Sequence, residues 1–96
     1  MKLSETWVVY NIETSEIIEV FLDKNKADVF YDISIKDLYI ECRKNIKKFS
    51  DEQYDEYFKT YISNKVLIVI TLEEAIYNIK EKLTEHFEEI INPNYN

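Results

Sequence analysis

Cys42 and His86 are the only cysteine and the only histidine in a chain of 96 residues. A Cys–His pair is the one thiol nucleophile and base that this composition allows, and the fold would have to bring the two together. The plainer reading makes Cys42 a small core residue on an apolar helical stripe. His86 then becomes a boundary residue on the last helix. No HExxH, CxxC or EF-hand spacing occurs, so no metal site is expected. There are 19 acidic residues, but nothing in their spacing singles out one pair for glycosidase-type chemistry. The chain has no glycine. That removes glycine-rich phosphate loops, the dinucleotide fingerprint and the nucleophile elbow, all of which need backbone that only glycine supplies cheaply. The expectation is a non-enzymatic protein with no catalytic residues, no cofactor and no metal.

The remaining chemistry is that of recognition. The net charge is −7, and residues 36–50 form a basic segment inside an otherwise acidic chain. An acidic surface repels nucleic-acid phosphates and anionic lipid, so neither direct nucleic-acid binding nor membrane binding is expected. The basic residues Arg43, Lys44, Lys47 and Lys48 fall at a predicted helix C-terminus, where cations complement the helix dipole. Eight tyrosines in 96 residues is a dense supply of side chains with an apolar body and a polar tip. Tyr54 and Tyr57 stand among Asp51, Glu52, Asp55 and Glu56, and these six are candidate partner-binding residues. Trp7 and Phe21 are two more, on a sheet face that is apolar unless a helix covers it. The tyrosines have a second reading, as rings that roof the core.

These residues must be carried by few elements. Ninety-six residues build one core, expected here over residues 1–93 with a frayed tail at 94–96. Residues 7–12 and 16–22 are rich in β-branched and aromatic side chains and read as an antiparallel hairpin. Pairing Ile12 with Glu16 sets Tyr10 opposite Ile18, Val8 opposite Val20 and Trp7 near Phe21. Ser15 then occupies the left-handed position where glycine usually sits. Asp23 is a helix N-cap. The stripe Ala27, Tyr31, Ile35, Leu38, Cys42, Ile46, Phe49 steps by three and four, which predicts a helix over 24–48, continuous or kinked, with a break at Ser34 as the alternative. Ser50 and Gln53 form a capping box for a helix over 51–63. Residues 66–70 are apolar throughout, the pattern of a strand covered on both faces, either central or beside the first strand. Thr71 and Glu74 form another capping box. The final helix carries Leu72, Ile76, Ile79, Leu83, Phe87 and Ile90 on one stripe and is stopped by Asn92-Pro93. The order ββααβα predicts an α+β fold with a three-stranded antiparallel sheet.

The composition also points to an origin. Fourteen isoleucines, eight asparagines and eleven lysines to one arginine favour AT-rich codons, as in a low-GC genome or a phage that lives in one. The stretch from Trp7 to Ile18, followed by Phe21 and Ala27, resembles the opening hairpin of many small phage proteins, although Ser15 replaces their usual glycine. The junction from Val69 to Ile76 is similar to their closing strand-to-helix step. The resemblance implies a host-takeover or anti-defence inhibitor, including those of anti-CRISPR type, and it assigns no active site. Its partner would be a host protein with a cationic surface, met in the cytoplasm of the host cell. An acidic immunity protein or antitoxin that neutralises a basic toxin is an alternative. So is a homo-oligomeric accessory protein, a homodimer through the Trp7/Phe21 face.

Overall fold

The computed structural model describes residues 2–91, with side chains through residue 87. The expected helix stop at Asn92-Pro93 and the frayed tail lie outside those residues. A short 3-10 turn, Leu3–Glu5, leads into β1 (Trp7–Asn11) and β2 (Glu16–Phe21). The helices α1 (Lys24–Asn45), α2 (Asp51–Tyr61) and the single turn α3 (Ser63–Val66) follow, then β3 (Leu67–Thr71) and α4 (Leu72–Ile91). The fold is α+β, with a three-stranded antiparallel sheet in the order β2-β1-β3.

Local signals account for most of these boundaries. Asp23 accepts a hydrogen bond from the Asn25 N–H at 2.9 Å and starts α1. Helix α1 runs through Ser34 without a break. Ser50 and Gln53 form the reciprocal capping box of α2, with both bonds made. Thr71 Oγ1 accepts from the Glu74 N–H at 3.2 Å where β3 passes directly into α4. Two elements escaped the sequence pattern. The 3-10 turn and α3 are each too short to show a period, and α3 takes Val66 out of the expected strand.

Of the two places expected for the third strand, the structure has the second: β3 is an edge strand beside β1, which is the centre. β2 already occupies one side of β1, so β3 pairs along the other, from Trp7↔Thr71 to Asn11↔Leu67. Hydrogen bonds from Ile12 N to Val66 O and from Leu72 N to Thr6 O extend that ladder at both ends. β3 is apolar throughout because helices lie over both of its faces, whatever its place in the sheet.

The sheet departs from expectation in its register. Trp7↔Phe21, Val8↔Val20 and Val9↔Glu19 pair as expected, but Tyr10 then pairs with Ile17 and Asn11 with Glu16. A bulge at Ile18 absorbs the extra residue. The two ends of the hairpin demand different phases. Trp7 and Phe21 must face α1, whereas Ile17 must join the core under α4. Ile18 is therefore displaced and 43% exposed. Leu22, expected as the last residue of the second strand, lies beyond β2 and is exposed.

The turn at residues 12–15 is held by Asn11, whose Oδ1 accepts from the N–H groups of Glu13 and Thr14. Ser15 has φ 59°, the left-handed conformation expected of it. Its Oγ is buried without a hydrogen-bond partner among the described residues. A β-carbon in that region costs roughly 1–2 kcal/mol. Ser15→Gly is therefore expected to stabilise the protein by about 1 kcal/mol, after the entropy glycine adds to the unfolded chain. Thermal unfolding checks this, and a lower midpoint would contradict it.

Helices cover both faces of the sheet. On one, Lys24 of α1 lies 5.5 Å over the Trp7 ring, and Phe30 packs on Phe21 at 5.5 Å. On the other, Ala75 of α4 packs with Val8 and Tyr10 of β1, supported by Ile17, Ile68, Ile70, Leu72 and Ile79. The only two alanines in the chain, Ala27 and Ala75, are both fully buried, one in each helix.

Candidate functional site

Helix α2 is not laid on the sheet. It packs against the C-terminal half of α1 through aromatic rings. Tyr54 and Phe58, one turn apart, face inward and are buried. Tyr39 of α1 meets both, at 4.8 Å and 5.1 Å between ring centroids. The Tyr54 hydroxyl donates to the Tyr39 carbonyl at 2.6 Å. Burial pushes the Tyr54 phenol above its ordinary pKa.

Arg43 ties the two helices together. Its guanidinium donates to the carbonyls of Ile46 and Phe49, pairs with Asp51 at 3.0 Å and lies 5.0 Å over the Tyr54 ring. Within the basic segment, then, Arg43 is a structural residue that closes the α1–α2 connection. Lys44 pairs with Glu41 on its own helix at 3.1 Å.

This packing divides the six candidates on α2. Tyr54 is a core residue with no exposed surface and cannot touch a partner. The expectation that it does is corrected by the approach of α1 to that side of the helix. Asp51 holds Arg43, and Asp55 accepts the hydroxyl of Tyr39. That hydrogen bond raises the Tyr39 phenol above its ordinary pKa, with burial adding to it. These two aspartates serve the α1–α2 contact. Glu52 and Glu56 point the other way and make no ion pair among the described residues. With Tyr57 and Tyr61 they line a shallow groove along the outer face of α2. Tyr57 is half-buried between Phe49 and Tyr61, while Tyr61 is 60% exposed.

Tyr61 belongs to the groove although it was not among the candidates. Its spacing of four from Tyr57 carried the signal.

Trp7 and Phe21 lie on the sheet face that α1 covers. Trp7 is half-buried beneath Lys24, so the open apolar face expected there is closed at its centre, where Val9 has no exposed surface. Phe21 remains at the margin, in a second groove with Phe30, Val29 and Ile33.

Cys42 and His86 do not form a pair. Cys42 sits half-buried in the α1–α2 layer, and burial raises its thiol pKa, with Glu41 adding to the effect. His86 is on the exposed part of α4, across the sheet. No cluster of three or more His, Cys, Asp or Glu able to hold a metal ion occurs among the described residues. No helix among them is long and apolar enough to cross a membrane. No family model, curated protein or solved structure matches the chain.

Proposed function

We propose that this protein is a non-enzymatic inhibitor, of anti-CRISPR type, that docks on a cationic surface of a host defence or nucleic-acid-processing protein. The observation that carries the reading is the outer face of α2. There Glu52 and Glu56 stand beside Tyr57 and Tyr61 on one exposed helical face, free of internal salt bridges among the described residues. Carboxylates at that spacing offer negative charge to a lysine- or arginine-lined surface, and charge of that sign speeds encounter with it. The tyrosines add apolar contact area with polar tips. Occlusion of a cationic channel needs no chemistry from the inhibitor, only a rigid acidic surface, and the Arg43 clamp with the Tyr39–Tyr54–Phe58 cluster supplies that rigidity. The hairpin's resemblance to small phage proteins is consistent with this role.

The test is capture of partners from lysate of a low-GC host with the tagged protein, eluted by salt. Beside it runs a variant carrying Glu52→Lys, Glu56→Lys and Tyr61→Ala. One stoichiometric basic protein should be released by salt, and the variant should retain at least about tenfold less of it. Equal capture by both proteins would sink the proposal for this face.

A further inference from the structure

Two lysines of the basic segment take no part in the packing of α1 on α2. Arg43 closes the connection between those helices, and Lys44 pairs with Glu41. Lys47 and Lys48 lie past the end of α1, in the connection itself, and are exposed. Neither makes an ion pair among the described residues. With Asn45, Ile46, Phe49 and Tyr57 they line a cleft of about 500 Å³. Sites that take small ligands measure roughly 300–1,000 Å³.

The walls of this cleft are fixed by contacts outside it. Arg43 holds both ends of the segment 46–49, donating to the Ile46 carbonyl at 3.0 Å and to the Phe49 carbonyl at 2.9 Å. The Ile46 N–H donates in turn to the Arg43 carbonyl at 3.2 Å. Phe49 packs on Tyr57 at 5.4 Å between ring centroids, and Tyr57 on Tyr61 at 5.3 Å. A wall ordered before the ligand arrives lowers the entropic cost of binding.

The lining selects a ligand class by its chemistry. None of its six residues is acidic, in a chain with 19 acidic residues. The Lys48 ammonium lies 5.7 Å over the Phe49 ring, so cation and aromatic surface stand side by side. Lysine binds phosphate as a point charge, and a flat base of any identity lies well on an aromatic side chain. Two lysines beside two rings therefore match a ligand that joins a phosphate to a planar heterocycle. The Asn45 amide can both donate to and accept from the edge of such a base. An acidic peptide would use the lysines and leave the rings without a partner.

Charge limits the ligand to a single nucleotide. At physiological salt, exposed charges are screened beyond about 8 Å. One phosphate in the cleft thus meets the local charge, and residues 36–50 hold five basic groups to two acidic ones. A nucleic-acid strand would run on past Tyr57 to Glu52 and Glu56, which line the neighbouring groove and repel its phosphates.

We infer that the cleft at the α1–α2 connection binds a nucleoside monophosphate, with its phosphate on Lys47 and Lys48 and its base against the Phe49/Tyr57 wall. Binding here needs no partner protein, so the inference stands or falls independently of the inhibitor reading.

Amide chemical-shift titration of the intact protein tests it, with AMP, GMP, CMP and UMP as probes. Saturable shifts should centre on residues 45–49 and on Tyr57, with Kd below about 1 mM for at least one nucleotide. Inorganic phosphate and the free nucleoside each carry half of the ligand and should bind at least about tenfold more weakly. Lys47→Ala with Lys48→Ala should weaken nucleotide binding about tenfold or more. That variant keeps the fold, since both side chains are exposed. Lys59→Ala with Lys65→Ala, two exposed lysines outside the cleft, should leave the affinity unchanged. Failure of all four nucleotides to saturate would overturn the inference. So would shifts centred away from the cleft, equal affinity in the Lys47/Lys48 variant, or binding of a polyglutamate peptide there in preference to every nucleotide.

Discussion

Tyr54→Ala should cost about 3–5 kcal/mol of folding stability, in the range of large aromatic truncations in a core. The ring has no exposed surface and touches Tyr39 and Phe58. The Arg43 guanidinium lies over its face, and its hydroxyl bonds the Tyr39 carbonyl. Removing the ring opens a void in the aromatic layer that holds α2 to α1. Small domains have about 5–15 kcal/mol in all, so this one change should bring the protein near its unfolding threshold. Tyr54→Phe keeps the ring and loses one hydrogen bond, and should cost only about 1 kcal/mol. Urea unfolding of the two variants separates packing from bonding. Equal, small losses in both would mean that the ring does not fill a core. The result also bears on function. A Tyr54→Ala variant that loses a partner would have lost α2, not a contact, so the outer residues Glu52, Glu56 and Tyr61 are the ones that report on binding.

Ala27→Leu and Ala75→Leu should each destabilise the protein by about 1–3 kcal/mol, although leucine is nearly as good a helix former as alanine. Both alanines are fully buried. Ala75 lies against Val8 and Tyr10. Ala27 sits between Lys24 and Phe30, the residues of α1 that reach Trp7 and Phe21. In a chain otherwise furnished with isoleucine and tyrosine, these two small side chains mark where each helix comes closest to the sheet. Three added carbons at either point push helix and strand apart. The sites lie on opposite faces of the sheet, so the double variant should lose the sum, about 2–6 kcal/mol. Thermal melts of the three variants decide it. A higher midpoint for either leucine would reveal a void beneath that helix.

The sequence by itself determined the elements, because their signals are local. Asp23, Ser50 with Gln53, and Thr71 set helix starts through side chains that reach only two or three residues along the chain. The three-and-four spacing from Ala27 to Cys42 marked the inward side of α1. Ser15 was legible as the left-handed turn residue because the hairpin required one. The tertiary structure decided everything that depends on a second layer. Uniform apolarity at 67–70 reports cover on both faces, and whether a strand is central depends on which edge of β1 the hairpin leaves free. The bulge at Ile18 arises from two helices on opposite faces, which ask for different phases at the two ends of one hairpin. Tyr54 and Tyr61 look alike in sequence, seven residues apart on α2, yet one is buried against α1 and the other lines the outer groove. Leu83 and Phe87 repeat the pattern of Leu72 and Ile79 but lie beyond the sheet that buries those two. Periodicity tells which side of a helix is apolar. Only the reach of the neighbouring layer tells where along the helix that side is covered, and where it stays exposed.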